Sequence, residues 1–266
     1  MQLRDSTVLL TGATGGLGAT MARALHAAGA KLVLSGRNRS LLDPLAAELG
    51  ATAAPCDLND RDGLRALATD HGPIDILVAN AAVPATGALE SFAEAELDAI
   101  IGANLTAPIQ LSRALLPQMI ERGRGHIVVI SSLAGKVASP GGSMYSATKF
   151  GLRGFAFGVR QDLDGTGVGV SVVSPGFIRD AGMFAKSGAE DALPPGVGTS
   201  TPADVARAVI DAIEHDRMEV TVAPLPMRLG SALGVAFPRV AAATQRLSGA
   251  KEISGRMADG QTEFRV

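Results

Sequence analysis

The chain has 266 residues, of which 47% are apolar and 19% charged, with a net charge of −2. That length buries a substantial core and that composition excludes a disordered chain. The near-neutral balance, with Lys and Arg scattered, offers no basic stripe for nucleic acid. Cys56 is the only cysteine, so a disulfide within the chain is excluded and a small buried thiol in a reducing compartment is expected. The opening MQLRDSTVLLTG lacks the apolar core and cleavage site of a signal peptide. No stretch of about 18 residues is apolar enough to span a bilayer, so a cytoplasmic protein is expected.

Short apolar runs then alternate with helical patterns. TVLLT (7–11) is followed by a helix over about 16–28. Between them lies TGATGGLG (11–18), with Gly12, Gly16 and Gly18 at the spacing of a dinucleotide turn. Glycine serves there because the turn needs unusual backbone angles. A pyrophosphate must also approach a helix N-terminus that carries free N–H groups. KLVLS (31–35) precedes a helix over about 39–49, and the strand ends LSGRNRS. Gly36 stands where many such folds place an acid for the ribose 2′-hydroxyl. Arg37, with Arg39 nearby, can pair with a 2′-phosphate, so NADP(H) is expected over NAD(H). The alternative for Arg37 is an ordinary solvated loop charge. ATAAPC (51–56) precedes a helix over about 60–71. Asp57 is placed either to accept from an adenine amino group or to cap that helix.

IDILVA (74–79) leads to a long helical region ending near Arg122, and HIVVIS (126–131) to a helix over about 144–163. The latter strand ends in Ser131 and Ser132, at the carboxyl edge where open α/β sheets bind ligands. Ser132 can hydrogen-bond a substrate oxygen, although a serine pair also suits a turn. Tyr145, the only tyrosine, lies four residues before Lys149 on that helix, so the two share a face. The neighbouring ammonium is expected to lower the phenol from its ordinary pKa of about 10 toward working pH. Tyr145 then exchanges a proton with a carbonyl or alcohol oxygen while hydride moves, and Lys149 can hydrogen-bond the nicotinamide ribose.

VGVSVVS (168–174) is the sixth run. Residues 177–200, with Phe177, Met183, Phe184, Leu193, Pro194 and Pro195, break the rhythm and are expected to form a lid or binding loop rather than a plain surface loop. A helix over about 202–215 and MEVTV (218–222) form a seventh unit. Continuous apolar runs suit strands buried on both faces. The β–α alternation therefore predicts a doubly wound, seven-stranded parallel sheet, a Rossmann fold, as one domain over residues 1–222. Residues 223–266 form a short apolar C-terminal extension broken by Pro224, Pro226 and Pro238. It can cover a pocket, dock a neighbouring subunit or touch a membrane surface, and the sequence leaves this open.

TGATGGLG, Ser132…Tyr145-x-x-x-Lys149 and SPG (174–176) recur in the order found in short-chain dehydrogenases/reductases of the single-domain kind, and the chain resembles that family over about residues 5–222. The resemblance implies a catalytic set of Asn104, Ser132, Tyr145 and Lys149, with Asn104, in IIGANLTAP, holding a water in the proton relay to Lys149. It implies a cofactor site from Gly12, Thr14, Gly16, Leu17, Gly18, Arg37, Asp57, Leu58, Asn80, Tyr145, Lys149, Pro175, Gly176 and Ile178, and no metal. It also implies a homodimer or homotetramer through helices around 103–122 and 144–163, where Ala147, Gly151, Gly154 and Ala156 would let helices approach closely. Two departures stand out. Ala79-Asn80-Ala81-Ala82 replaces the family's Asn-Asn-Ala-Gly, and Asp180 stands where a threonine often contacts the nicotinamide carboxamide. The implied activity is NADP(H)-dependent interconversion of a ketone or aldehyde and an alcohol, on an apolar small molecule. A non-catalytic NADP(H)-binding sensor on the same fold is the alternative, which loss of the tyrosine would have favoured. An epimerase or dehydratase of nucleotide sugars usually carries a larger C-terminal substrate domain.

Overall fold

The computed structural model describes residues 1–193, 197–247 and 249–260. Its centre is a parallel sheet of β1 (Thr7–Thr11), β2 (Lys31–Gly36), β3 (Thr52–Pro55), β4 (Ile76–Ala79), β5 (Gly125–Ile130), β6 (Val168–Pro175) and β7 (Glu219–Val222), in the order β3-β2-β1-β4-β5-β6-β7. The expected Rossmann sheet is therefore present. The strands read as unbroken apolar runs because successive side chains enter two different cores. Val8 and Leu10 pack with Met21 and Leu25 of α1 (Gly16–Ala27), Leu42 of α2 (Arg39–Glu48) and Val209 of α8 (Pro202–Glu214). Leu9, on the other face, packs with Leu64 of α3 (Arg61–Thr69), Leu111 of α5 (Ala107–Glu121) and Leu152 of α6 (Ser143–Asp162). Each fully buried leucine of this kind contributes about 2 kcal/mol by leaving water.

Strand register aligns the carboxyl ends. Thr11 pairs with Ser35, Gly36 with Pro55, Ala79 with Val129 and Ile130 with Val173. The glycine-rich turn, Ser132 and Pro175 thus emerge along one edge, and chain order reverses between β1 and β4, where such sheets open a crevice.

The long helix expected to end near Arg122 is not continuous. A 3-10 turn at Leu89–Ser91 precedes α4 (Glu94–Ile101), a π turn at Gly102–Thr106 and then α5. Pro108 supplies the reason. An α-helix would direct the N–H of residue 108 to the carbonyl of Asn104, and proline has none to give. The Ala107 N–H bonds Gly102 instead, which widens the turn.

The segment 177–200 is less irregular than expected. It holds α7 (Gly182–Lys186) and a 3-10 turn at Ala189–Ala192, and a bridge between Ile178 and Ser200 ties its ends. Pro194 and Pro195 lie outside the described residues. After β7 come α9 (Leu225–Ala236), α10 (Pro238–Leu247) and α11 (Ala250–Asp259). Among the described residues no helix is long and apolar enough to cross a membrane. Two of the small residues expected on an outer face of α6 point inward. Ala156 is in the core, and Gly151 faces Leu105 of the same chain. Ala147, Phe150, Gly154 and Gly158 form the exposed side.

Candidate active site

The turn after β1 is built from contacts only glycine permits. Gly12 has φ +66°, and a Cβ there would lie 2.7 Å from the Ala81 Cα. A Cβ on Gly18 would lie 2.0 Å from the Gly12 oxygen. Gly15 precedes α1 with no side-chain cap, and the first turn of α1 has no acid, so its N–H groups remain available to an anion. Thr11 and Asn80 lace this turn to the end of β4. The Thr11 hydroxyl accepts from the N–H groups of Asn80 (3.1 Å) and Ala81 (3.2 Å), while the Asn80 amide donates to the carbonyls of Thr11 (3.0 Å) and Gly12 (3.2 Å). Asn80 therefore shapes the turn through its amide, and it also lines the cavity described below. Sequence reasoning missed Thr11, whose only signal was a hydroxyl at the strand end.

Gly36 abuts Thr14: a Cβ at residue 36 would lie 3.1 Å from the Thr14 hydroxyl. Arg37 and Arg39 beyond it are exposed and form no ion pair among the described residues. Asp57 accepts from the Asn59 N–H at 3.0 Å, whereas Asp60 caps α3 through the Asp62 N–H at 3.0 Å. The capping alternative for Asp57 is thus excluded, because a residue one turn later holds that position. Leu58 packs against the core. An uncapped helix terminus and a cradle that side chains would fill fit a nicotinamide dinucleotide.

Beside the turn opens a cavity of about 800 Å³, lined by Ser132, Tyr145 and Lys149 and, from the cofactor set, by Leu17, Pro175, Gly176 and Ile178. The Ser132 hydroxyl accepts from the Ala134 N–H (3.1 Å) and donates to the Pro175 carbonyl (3.4 Å). Lys149 is 2% exposed, donates from Nζ to the Ile130 carbonyl at 2.8 Å and lies 5.6 Å from the centroid of the Tyr145 ring. Burial pushes the phenol up to about 12, although the neighbouring Ser132 hydroxyl pulls it the other way. Burial pushes the Lys149 amine down to about 8. The acidified phenol expected from the sequence is therefore absent from the chain alone. Desolvation, which spacing along a helix does not reveal, sets the direction of the shift, and the Ser132 hydroxyl is the group that opposes it.

The close fit of α6 against β5 places this pair. The Ser131 hydroxyl donates to the Lys149 carbonyl at 3.1 Å, and a Cβ on Gly135 would lie 2.5 Å from that hydroxyl. One turn past Lys149, Arg153 grips Glu219 of β7 through two bonds of 2.9 and 3.0 Å, and Glu219 also takes Lys136 at 3.1 Å. These anchors were not anticipated; the adjacent glycine in SSLAG was the only trace of them. Asn104 is fully buried. Its carbonyl side accepts from the Val83 N–H (2.7 Å) and its amide donates back to the Val83 carbonyl (3.0 Å).

Phe177, Met183 and Phe184 line the cavity, with the two phenyl rings 4.7 Å apart. Asp180 does not. It has φ +66°, its side chain is 70% exposed and it lies 3.4 Å from Arg179. Ala181 turns inward and packs where a Cβ of Gly16 would be, 2.5 Å from its own Cβ. The outer wall comes from the extension, through Met227 of α9, Thr244 of α10 and Ile253 and Met257 of α11. Of the three roles open to that segment, covering a pocket is present.

Residues 6–192 match the short chain dehydrogenase family. The chain is 42% identical over 234 residues to the ketoacyl reductase HetN of Nostoc sp., covering 85% of this chain and 81% of that protein. It is 34% identical over 244 residues to dehydrogenase/reductase SDR family member 7B of Danio rerio, covering 84% and 79%. A solved short-chain dehydrogenase from Sphingobium yanoikuyae in complex with NADPH is similar with a TM-score of 0.76 at 28% identity, over 88% of this chain and 95% of that one. A metagenomic short-chain oxidoreductase in complex with NADP gives 0.69 at 36% identity, over 84% and 99%. Strand order, glycine turn and relatives agree that the chain belongs to the short-chain dehydrogenase/reductase family, whose members are oxidoreductases that bind a nicotinamide cofactor and act on small molecules.

Proposed function

We propose that this protein is an NADP(H)-dependent oxidoreductase interconverting an apolar ketone or aldehyde and its alcohol, with Tyr145 as proton donor and acceptor. One observation carries the reading: Tyr145 and Ser132 open into a large, mostly apolar cavity with the Lys149 amine buried behind them. The nicotinamide cofactor, when bound, supplies or takes up the hydride. The chain's own residues manage the oxygen. Ser132 and Tyr145 hold it by hydrogen bonds, and Tyr145, which keeps its proton at neutral pH, gives that proton as negative charge develops on a carbonyl oxygen. In the reverse direction it takes the proton from the alcohol. The Lys149 ammonium, still charged at pH 7, stabilises the phenolate that proton donation leaves. Asn104 serves as a positioning residue. Pro108 leaves its backbone carbonyl free of the usual helical bond and so able to hold a water on the path to Lys149.

Arg37 and Arg39, which follow β2 and form no ion pair among the described residues, support NADP(H) over NAD(H), as do the NADP and NADPH complexes among similar structures. Phe177, Met183, Phe184 and Met257 support an apolar substrate, and the relative named a ketoacyl reductase supports a ketone. We take residues 1–222, with the loop 177–200, as the catalytic domain and 223–266 as its extension, in a cytoplasmic homodimer or homotetramer. Phe150 with Gly154 and Gly158, where added side chains meet open space, supports an interface along α6.

The test follows NADPH absorbance over a panel of apolar ketones. Tyr145→Phe should lower turnover by about 10²–10⁴-fold and leave NADPH affinity nearly unchanged. Use of NADH in preference to NADPH would refute the cofactor assignment. NADPH binding with no turnover across the panel would refute the enzymatic one.

A further inference from the structure

The outer side of the extension carries an apolar face of which only the edge reaches the cavity. Leu225, Leu229, Leu233, Val235, Phe237 and Val240 are between 49% and 64% exposed. On α9, Leu225, Leu229 and Leu233 recur every fourth residue as one stripe, while Met227, Ser231 and Gly234 of the same helix close the cavity. Two side chains belong to both surfaces. Leu233 and Val240 line the cavity and are each 60% exposed. The exterior patch and the cavity wall therefore meet at an apolar rim.

Charge decides what covers this face. From residue 220 to residue 251 the chain carries Arg228, Arg239, Arg246 and Lys251 and no Asp or Glu. Arg228 and Arg239, within the patch, are exposed and form no ion pair among the described residues. A second copy meeting this face about a two-fold axis would bring cations against cations. An anionic bilayer surface supplies both needs at once: apolar depth for leucine and phenylalanine, and negative headgroups for arginine.

We infer that the α9–α10 face docks peripherally on an anionic lipid surface and sets the cavity mouth against the bilayer, so that an apolar carbonyl substrate enters from the lipid phase. The entry step rests on the reductase reading, and the docking step does not.

The full chain is sedimented with vesicles of phosphatidylcholine alone or with about a third phosphatidylserine. Anionic vesicles should retain about tenfold more protein than neutral ones, an advantage lost in about 0.5 M salt. Leu229→Asp with Phe237→Asp, and separately Arg228→Gln with Arg239→Gln, should each lower the retained fraction about tenfold, with circular dichroism and NADPH affinity unchanged. Equal retention on both vesicle types, or none, overturns docking. So does an oligomer that the Asp pair breaks into monomers, which would assign the face to a second copy. A long-chain ketone dissolved in the vesicles should be reduced faster on anionic than on neutral ones, an advantage both double variants lose. Docking without that advantage overturns lipid-phase entry. If the ketone is not reduced even in detergent, the reductase reading fails while vesicle retention still decides docking.

Discussion

Lys149 donates from Nζ to the Ile130 carbonyl at 2.8 Å, so the amine of α6 is fixed to the last residue of β5, just before Ser131 and Ser132. Burial at that point lowers the amine from 10.5 to about 8. The ammonium is therefore present below about pH 8 and absent above it. Because it stabilises the phenolate left by proton donation, kcat/KM for ketone reduction should be flat below that pH. It should then fall about tenfold per unit above it. Lys149→Met should abolish the break. The stability sign is opposite to that of a favourable ion pair. A folded pKa below the unfolded one means the cost of burying the charge is full below about pH 8 and fades as pH rises toward 10.5. Lys149→Met should thus raise stability at neutral pH, by about 3 kcal/mol at most, read from the thermal midpoint at pH 7 and pH 10.

The glycine turn makes a prediction that separates crowding from helix propensity. A Cβ on Gly18 meets backbone, 2.0 Å from the Gly12 oxygen and 2.9 Å from the Ala13 Cα, so the turn itself must move. Gly18→Ala should weaken NADPH binding at least about tenfold and cost about 1–3 kcal/mol of stability. Gly255→Ala, on the exposed side of α11 with nothing within 4 Å, should stabilise by about 0.5–1 kcal/mol. Titration of NADPH and calorimetry on both variants decide it. Equal effects would mean the turn tolerates a side chain.

The seven strands and the Tyr145–Lys149 pair were legible because both follow from period: unbroken apolar runs for buried strands, and a four-residue gap for one helical face. What failed had no periodic signature. The π turn at Gly102–Thr106 reads as helix in any apolar pattern, and only Pro108 marks it. Asp57 and Asp60 both stand before α3, and which of them caps it depends on where the chain enters the helix. The direction of the Tyr145 shift depends on burial, which spacing does not carry. The inward side of α9 and α11 was open among three roles because proline-broken apolar segments suit a lid, an interface and a lipid surface alike.

Pro108 sets up a test in which stability and activity part. Pro108→Ala restores an N–H aimed at the Asn104 carbonyl and lets an α-helix close across the π turn. The variant should be as stable as the parent or more so, since proline within a helix is unfavourable. Its turnover should fall about tenfold, with NADPH affinity unchanged, because the carbonyl no longer holds a water toward Lys149. Asn104→Ala should instead destabilise the fold by about 1–3 kcal/mol, since it leaves the Val83 N–H and carbonyl without their partners. Unaltered turnover in Pro108→Ala would remove the Asn104 carbonyl from the relay.

His126, at the opposite end of β5 from Ser132, should govern acid stability without touching catalysis. It is buried, and its Nε2 lies 2.8 Å from the Ser171 hydroxyl. Burial lowers it from 6.5 to about 4. The Asp216 carboxylate opposes that shift, while the N-terminal ammonium and Arg160 reinforce it. The unfolded chain therefore takes a proton near pH 6.5 while the folded one refuses it until about pH 4, and stability drains away as pH falls through that interval. The loss amounts to about 3 kcal/mol. His126→Asn offers Ser171 a polar partner that does not titrate. Its thermal midpoint, measured by circular dichroism from pH 7 to pH 4, should fall less steeply than that of the parent chain. Acidic groups such as Asp204, whose carboxyl the Thr201 N–H and hydroxyl hold below its usual range, titrate alike in both proteins, so the difference between the curves comes from His126 and its coupling to Asp216. Parallel curves would show that the imidazole is not what acid attacks first.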